Sequence, residues 1–172
     1  MASPEFEELR LGDDSEVYEV DTSSEVLRAS VSMIAQTRRT VEIVSRHLDP
    51  QIYDNADFAS GLRRFVLGSR RASVRIIIMD STPLVARGHR LVELAQRLST
   101  YIEIRKPGPD HARYNSAFLI ADRTGSVHRD LADRFDGVVS FNDPRAAKRL
   151  GEQFEEMWGT AMPDPNFRRL SL

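Results

Sequence analysis

At 172 residues, 41% hydrophobic and 29% charged, the chain has the length and balance of one globular domain with a sizeable core. A formal net charge of −2 speaks against a protein that coats nucleic acid generally, and the absence of cysteine excludes disulfides, thiolate zinc sites and a cysteine nucleophile. No apolar run approaches the roughly 20 residues that cross a bilayer, and no signal peptide opens the chain, so a cytoplasmic protein without a membrane partner is expected.

Residues 1–16, MASPEFEELRLGDDSE, show no apolar period and are expected to be disordered or foreign to the natural chain. VYEV (17–20) reads as a short strand. Asp21-Thr22-Ser23-Ser24 then supplies capping residues for a helix with Val26, Leu27, Ser30 and Ile34 on one side. TVEIVSRHL (40–48) is β-branched and alternating, a strand ending near His47. LDPQIYDNAD is a loop, followed by a helix that groups Phe58, Leu62, Phe65 and Val66. SVRIIIMD (73–80) leaves no room for a solvated face, which predicts Ile76, Ile77 and Ile78 buried on both sides of a parallel sheet.

Asp80-Ser81-Thr82-Pro83 caps one further helix, with Leu91, Leu94, Ala95 and Leu98 inward. YIEIRKPG (101–108) is a strand stopped by Pro107-Gly108-Pro109. AFLIADRTGSVHR folds as two strands around Arg123-Thr124-Gly125. GVVSFND (137–143) is a last strand. The final helix turns Ala147, Leu150, Phe154, Met157 and Trp158 inward and leaves Glu152, Glu155 and Glu156 to water. The order predicts an α/β fold, a mixed sheet flanked by helices, in a single domain over 17–172.

Ligands of open α/β sheets sit beyond the carboxyl ends of strands. Polar residues end four of them: Ser45-Arg46-His47, Asp80-Ser81, Arg105-Lys106 and Asp122-Arg123. His47 and His89 are candidate catalytic or phosphate-binding side chains, although a histidine at either place is more often structural. Asp80 is a candidate ligand-binding or histidine-orienting carboxylate, and also a plain N-cap. His111, Arg113 and Asn115 alternate in GPDHARYN and share one side if that segment is extended, a cluster suited to a phosphate oxygen. Arg105 completes the candidate ligand-binding set. No H-E-x-x-H, His-x-His or paired acidic motif appears, so no metal site is expected. No glycine-rich phosphate loop or nucleophile elbow appears, and no cofactor is expected.

Asn115 to Asp122, NSAFLIAD, has the spacing of H-x-K-x-x-x-x-D, with Asn115 and Ala117 at the histidine and lysine positions. Together with RIIIMD and FNDPRAAKRLGEQFEEMW, it gives residues 17–161 a resemblance to one phospholipase D-like domain. The group it resembles is bacterial and of unassigned role, associated with GNAT acetyltransferases as neighbours or fusion partners. Active members of that superfamily attack phosphorus with one motif histidine and protonate the leaving group with another, from a tandem pair or a homodimer. An imidazole can alternate between those roles near neutral pH, whereas an asparagine amide cannot. The resemblance therefore implies a catalytically silent binding or regulatory module for a phosphate-bearing ligand or a protein partner, acting as a homo-oligomer. Two alternatives stand beside it. One is a divergent phosphodiesterase or nuclease using His111 with His47 or His89 across a homodimer. The other is RNA or DNA binding through Arg63-Arg64 and Arg70-Arg71, since nearly all the positive charge is arginine and only Lys106 and Lys148 are lysines.

Overall fold

Ile76-Ile77-Ile78 closes a strand that has no solvent side at all. In the computed structural model, which describes residues 4–168, this strand, β3 (Ser73–Ile78), lies between β2 (Thr40–Ser45) and β4 (Ile102–Lys106), parallel to both. All three isoleucines are fully buried. Ile76 and Ile78 pack on one face and Ile77 on the other, as the side-chain alternation of a strand requires.

The rest of the sheet is antiparallel. β5 (Ala117–Ala121) pairs with β2, β6 (Gly125–Arg129) with β5, β7 (Gly137–Ser140) with β6, and β1 (Tyr18–Val20) with β7. A two-residue β8 (Met162–Pro163) lies against β4. The resulting order is β1-β7-β6-β5-β2-β3-β4-β8.

Helices α1 (Ser23–Gln36), α2 (Ala56–Leu67) and α4 (Arg90–Arg97) cover one face, over Val41, Ile43, Val74, Ile76 and Leu119. On the other face α5 (Pro144–Thr160) covers Val44, Ile77, Phe118 and Ile120, through Ala147, Leu150, Phe154 and Met157, with Met79 and Tyr114 at the margin. Short helices α3 (Thr82–Arg87) and α6 (Pro165–Arg168) pack together beyond the end of β3.

Local chemistry accounts for the helix starts. Thr22 caps α1 by accepting from the Glu25 amide at 3.1 Å, while the Glu25 carboxylate reaches back past the cap to the Asp21 amide at 3.2 Å. Asn55 caps α2 through the amides of Asp57 and Phe58. The single helix expected after Asp80 is interrupted at Gly88, whose φ of 74° departs from helical geometry. His89 then caps α4.

The N-terminal segment joins the fold, against the expectation for residues 1–16. Phe6, in a 3₁₀ turn over Phe6–Glu8, is fully buried. The Ser32 hydroxyl donates to the Phe6 carbonyl at 2.7 Å, and Gln36 bridges the Leu9 carbonyl and the Leu11 amide. One large aromatic side chain and these bonds outweigh a polar sequence without period. Residues 1–3 and 169–172 of the expected segments lie outside the described residues.

Because β5 runs antiparallel to β2, its two ends face opposite edges of the fold. The residues before Ala117 meet the carboxyl ends of β2 and β3, whereas Asp122 lies at the start of β2. Asp122-Arg123 is thus not a fourth member of the polar strand ends. The Asp122 carboxylate instead accepts from the amides of Arg38, Arg39 and Thr40 at 2.9, 2.7 and 3.0 Å. That is a structural clamp on the loop leading into β2. Asp122→Ala is expected to cost about 2–4 kcal/mol in chemical unfolding, since bonds to a charged acceptor contribute more than neutral ones. A loss below about 0.5 kcal/mol would contradict the clamp.

Candidate functional site

Parallel β2, β3 and β4 deliver Arg46, His47, Asp80 and Lys106 to one end of the sheet, and antiparallel β5 brings Asn115 to the same end. The Arg46 guanidinium donates to the Asn115 side-chain oxygen. Asn115 is fixed further by its carbonyl, which accepts from the Ala132 amide at 2.8 Å. The neighbouring Ser116 hydroxyl donates to the Asp130 carbonyl at 2.9 Å. His47 sits 3.0 Å through Nδ1 from the Asp80 carbonyl, an acceptor only, so Nδ1 carries the proton, and Nε2 has no partner among the described residues. The Asp80 carboxylate lies 3.8 Å from that Nδ1 and accepts from the Thr82 amide at 3.1 Å. Hydrogen bonds from Thr82, side chain then backbone, lower its pKa, with smaller contributions from His47 and Lys106. Ser81 rather than Asp80 holds the N-cap position of α3, and the histidine's hydrogen bond goes to the Asp80 backbone rather than its carboxylate.

The remaining candidates do not converge there. Pro109–His111 forms a 3₁₀ turn and the Tyr114 amide bonds back to the His111 carbonyl at 3.1 Å, so His111, Arg113 and Asn115 are not aligned on an extended segment. Pro109 favours this turn, and β5 starts only at Ala117. Among the described residues, neither the His111 nor the Arg113 side chain makes a hydrogen bond or ion pair. Arg105 is engaged on the α5 face: it pairs with Glu103, donates to the Trp158 carbonyl at 3.3 Å and lies 4.1 Å from the Trp158 ring centre. Trp158 is correspondingly only half-buried, stacked on Phe154.

His89 is buried with both ring nitrogens occupied. Nε2 meets the Leu48 carbonyl at 3.0 Å and Nδ1 accepts from the Leu91 amide at 3.1 Å. It is a helix cap, with no nitrogen left for a phosphate. Burial lowers its pKa despite the carbonyl partner. The unfolded ring protonates near about 6.5 and the folded ring only below that, so the unfolded chain binds more protons in between. Stability is therefore lost as pH falls from the unfolded value through the folded one. His89→Asn keeps a capping acceptor and removes this titration, and melts between about pH 7 and 5 are expected to be less pH-dependent than wild type. His128, which burial shifts the same way, and Glu42, whose pKa burial raises, contribute to the residual slope. Equal slopes would rule out His89 as the linked group.

At the position that the resemblance gives to lysine, Ala117 is sealed, with 1% of its surface exposed, and is in register with Arg129 of β6. Arg129 is itself buried, paired with Asp49 and donating to the Arg134 carbonyl at 2.8 Å. It ties the loops after β2 and β6 together. Among the described residues, no group of three or more His, Asp or Glu is placed to hold a metal ion, and no helix is long and apolar enough to cross a membrane.

A polar cluster missed from sequence lies under α5. Glu42, in mid-β2 with 1% of its side chain exposed, pairs with Arg123 and lies 3.6 Å from Arg75, its register partner on β3. Glu155 of α5 binds the same two arginines, at 3.0 Å to Arg123. Burial raises the Glu42 pKa against the pull of Arg123, and its second oxygen has no hydrogen-bond partner among the described residues. Glu155 thus does not simply face water, and Arg75 contributes its bond first to lowering the Glu155 pKa. The available signal was an acid at the centre of an otherwise apolar strand.

The profile of one family, Domain of unknown function (DUF7931), matches residues 22–170. The chain belongs to this family. A search of curated proteins finds no match. Among solved structures, this DUF7931 member is similar to Nuc of Salmonella typhimurium, a phospholipase D family member, at TM-score 0.57 and 14% identity, covering 87% of this chain and 97% of that one. NucT from Helicobacter pylori superposes at 0.56 and 12%, covering 87% and 100%. TrmBL2, an archaeal chromatin protein described with a novel mode of DNA binding, superposes at 0.61 and 16%, over 88% of this chain. The chain spans about half of that protein's length, 54%. At these identities the likeness establishes the fold: a phospholipase D-like α/β domain with a mixed sheet of eight strands.

Proposed function

We propose that the domain is a catalytically silent phospholipase D-like module that binds a phosphate-bearing ligand at the strand end formed by Arg46, His47, Lys106 and Asn115. The observation that carries this reading is the Arg46–Asn115 contact. A cation and an amide occupy the place where the resemblance calls for an attacking imidazole. Guanidinium and amide N–H groups can donate to phosphate oxygens, but neither is a nucleophile toward phosphorus at neutral pH. His47 offers one ring nitrogen, and His89, one of the two histidines the alternative would set beside His111, has both of its nitrogens committed elsewhere. The His111 alternative gains nothing from a 3₁₀ turn outside β5.

The fold supports the reading in kind, since it is shared with phospholipase D family members and with a DNA-binding chromatin protein. We further propose that the module works as a homodimer or on a protein partner such as a GNAT acetyltransferase. Exposed Val17, Leu131 and Val138, at 58%, 43% and 40%, supply apolar contact surface. Sedimentation of the purified chain tests the homodimer. For the ligand, inorganic phosphate titrated into isotope-labelled protein is expected to shift the amides of Arg46, His47 and Asn115, and Arg46→Ala to abolish those shifts. Shifts confined to other parts of the sheet, or none, would contradict the site.

A further inference from the structure

The chain's charge is segregated. No Asp or Glu occurs between Glu25 and Glu42, nor between Asp57 and Asp80, and these two stretches hold Arg28, Arg38, Arg39, Arg63, Arg64, Arg70, Arg71 and Arg75. Arg28 pairs with Glu7, and Arg75 with Glu42 and Glu155. The other six are exposed, and none of their guanidiniums makes a hydrogen bond or ion pair among the described residues.

The fold gathers them. α1 and α2 each precede a strand running toward the site described above, so both helices end at the opposite edge of the sheet. Between their C-terminal halves lies an open groove of about 460 Å³, floored by Ile34, Gly61 and Phe65 and flanked by Arg38 and Arg64. An arginine in the last turn of a helix complements the dipole, which accounts for Arg64. It does not account for Arg38 and Arg39, which lie beyond α1, or for Arg70 and Arg71, beyond α2. The Asp122 carboxylate accepts from the backbone amides of Arg38 and Arg39, not from their guanidiniums. It fixes that loop while leaving both guanidiniums to solvent.

We infer that this arginine-flanked groove is a second binding site, separate from the strand-end site, and that it takes the phosphate backbone of a nucleic-acid duplex without reading sequence. Six guanidiniums spread over a helix and two loops match a row of phosphates; one small anion would need them to converge. Guanidinium forks suit phosphate oxygens, and backbone contacts position a duplex but carry no base information. A membrane surface is a poorer match. Leu67 is the one large apolar side chain on these segments with more than two-fifths of its surface exposed, at 52%.

The test is fluorescence anisotropy of a labelled mixed-sequence DNA duplex of about 25 base pairs, at about 50 and 200 mM salt. Wild type is expected to bind with affinity falling steeply as salt rises. Arg38→Gln/Arg64→Gln/Arg71→Gln should bind at least about tenfold more weakly at the lower salt, with the log–log slope reduced by roughly 0.9 for each phosphate no longer neutralised. Lysine at the same three positions should restore most of the slope. All three positions are exposed, and unchanged thermal melts verify the fold of each variant. The inference is overturned if wild type fails to bind, if the triple glutamine variant binds undiminished, or if phosphatidylglycerol vesicles bind and the duplex does not. Loss of duplex binding in Arg46→Ala with retention in the triple variant would also overturn it, by moving the nucleic acid to the strand-end site. Failure of phosphate to bind at Arg46 leaves this result unaffected.

Discussion

Ile76→Asp protein is expected to show no cooperative thermal transition. Ile76 sits in register between Ile43 of β2 and Ile104 of β4, fully buried beneath the helices that cover that face. A carboxylate there finds no cation and no water, and protonation only exchanges an unpaired charge for an unpaired carboxyl group. Either form costs several kcal/mol, against a total of about 5–15 kcal/mol for a domain of this kind. Ile76→Val, which removes one methylene, should cost about 0.5–1.5 kcal/mol and keep the transition. An Ile76→Asp protein that melts cooperatively near the wild-type temperature would show that β3 is not the centre of the sheet.

Glu42→Ala is expected to have the next largest effect. It leaves Arg75 and Arg123 sharing Glu155 alone, beneath α5. Removing one partner of a buried pair costs about 3–5 kcal/mol. Both arginines keep some solvent contact, with 25% and 37% of their side chains exposed, so about 2–4 kcal/mol is the figure to expect after screening. The double replacement Glu42→Leu/Arg123→Met restores neutrality, because Arg75 and Glu155 remain as a pair, and should recover much of the loss. Packing reinforces the arrangement. A Cβ at Gly151 would come within 2.4 Å of the Arg123 guanidinium, so a side chain there would push that guanidinium off Glu42 and Glu155. Equal destabilisation in the single and double variants would mean that the Glu42–Arg123 interaction is not what stabilises this layer.

The strands and helices were legible wherever periodicity and caps agreed. Ile76-Ile77-Ile78 and the Thr22 cap each state their structure locally, and so does the hairpin, although its turn lies at 122–124 with Gly125 already in β6. What could not be read depends on topology. Whether Asp122 shares an end with Asp80 turns on β5 being antiparallel to β2, which no local pattern encodes. The same holds for Arg46 meeting Asn115 across 69 positions of chain, and for Glu42 meeting Arg75 and Arg123. Glu42 in TVEIVS looks like the solvated half of an alternation until α5 closes over it. Phe6 was overlooked because one buried aromatic has no period.

The resemblance in NSAFLIAD resolves into two ends with different roles. Asp122 holds backbone and serves the fold, while Asn115 faces Arg46 at the strand end. That division predicts binding without turnover. Calorimetric titration of the wild-type domain with bis-p-nitrophenyl phosphate tests it most directly, because the same cell reports the heat of association and any continuing heat of hydrolysis. Saturable heat, absent in Arg46→Ala and followed by a flat baseline with no release of nitrophenolate, is the result expected. Sustained heat with nitrophenolate appearing, or no heat of binding at all, would contradict a phosphate-binding domain that has lost its nucleophile.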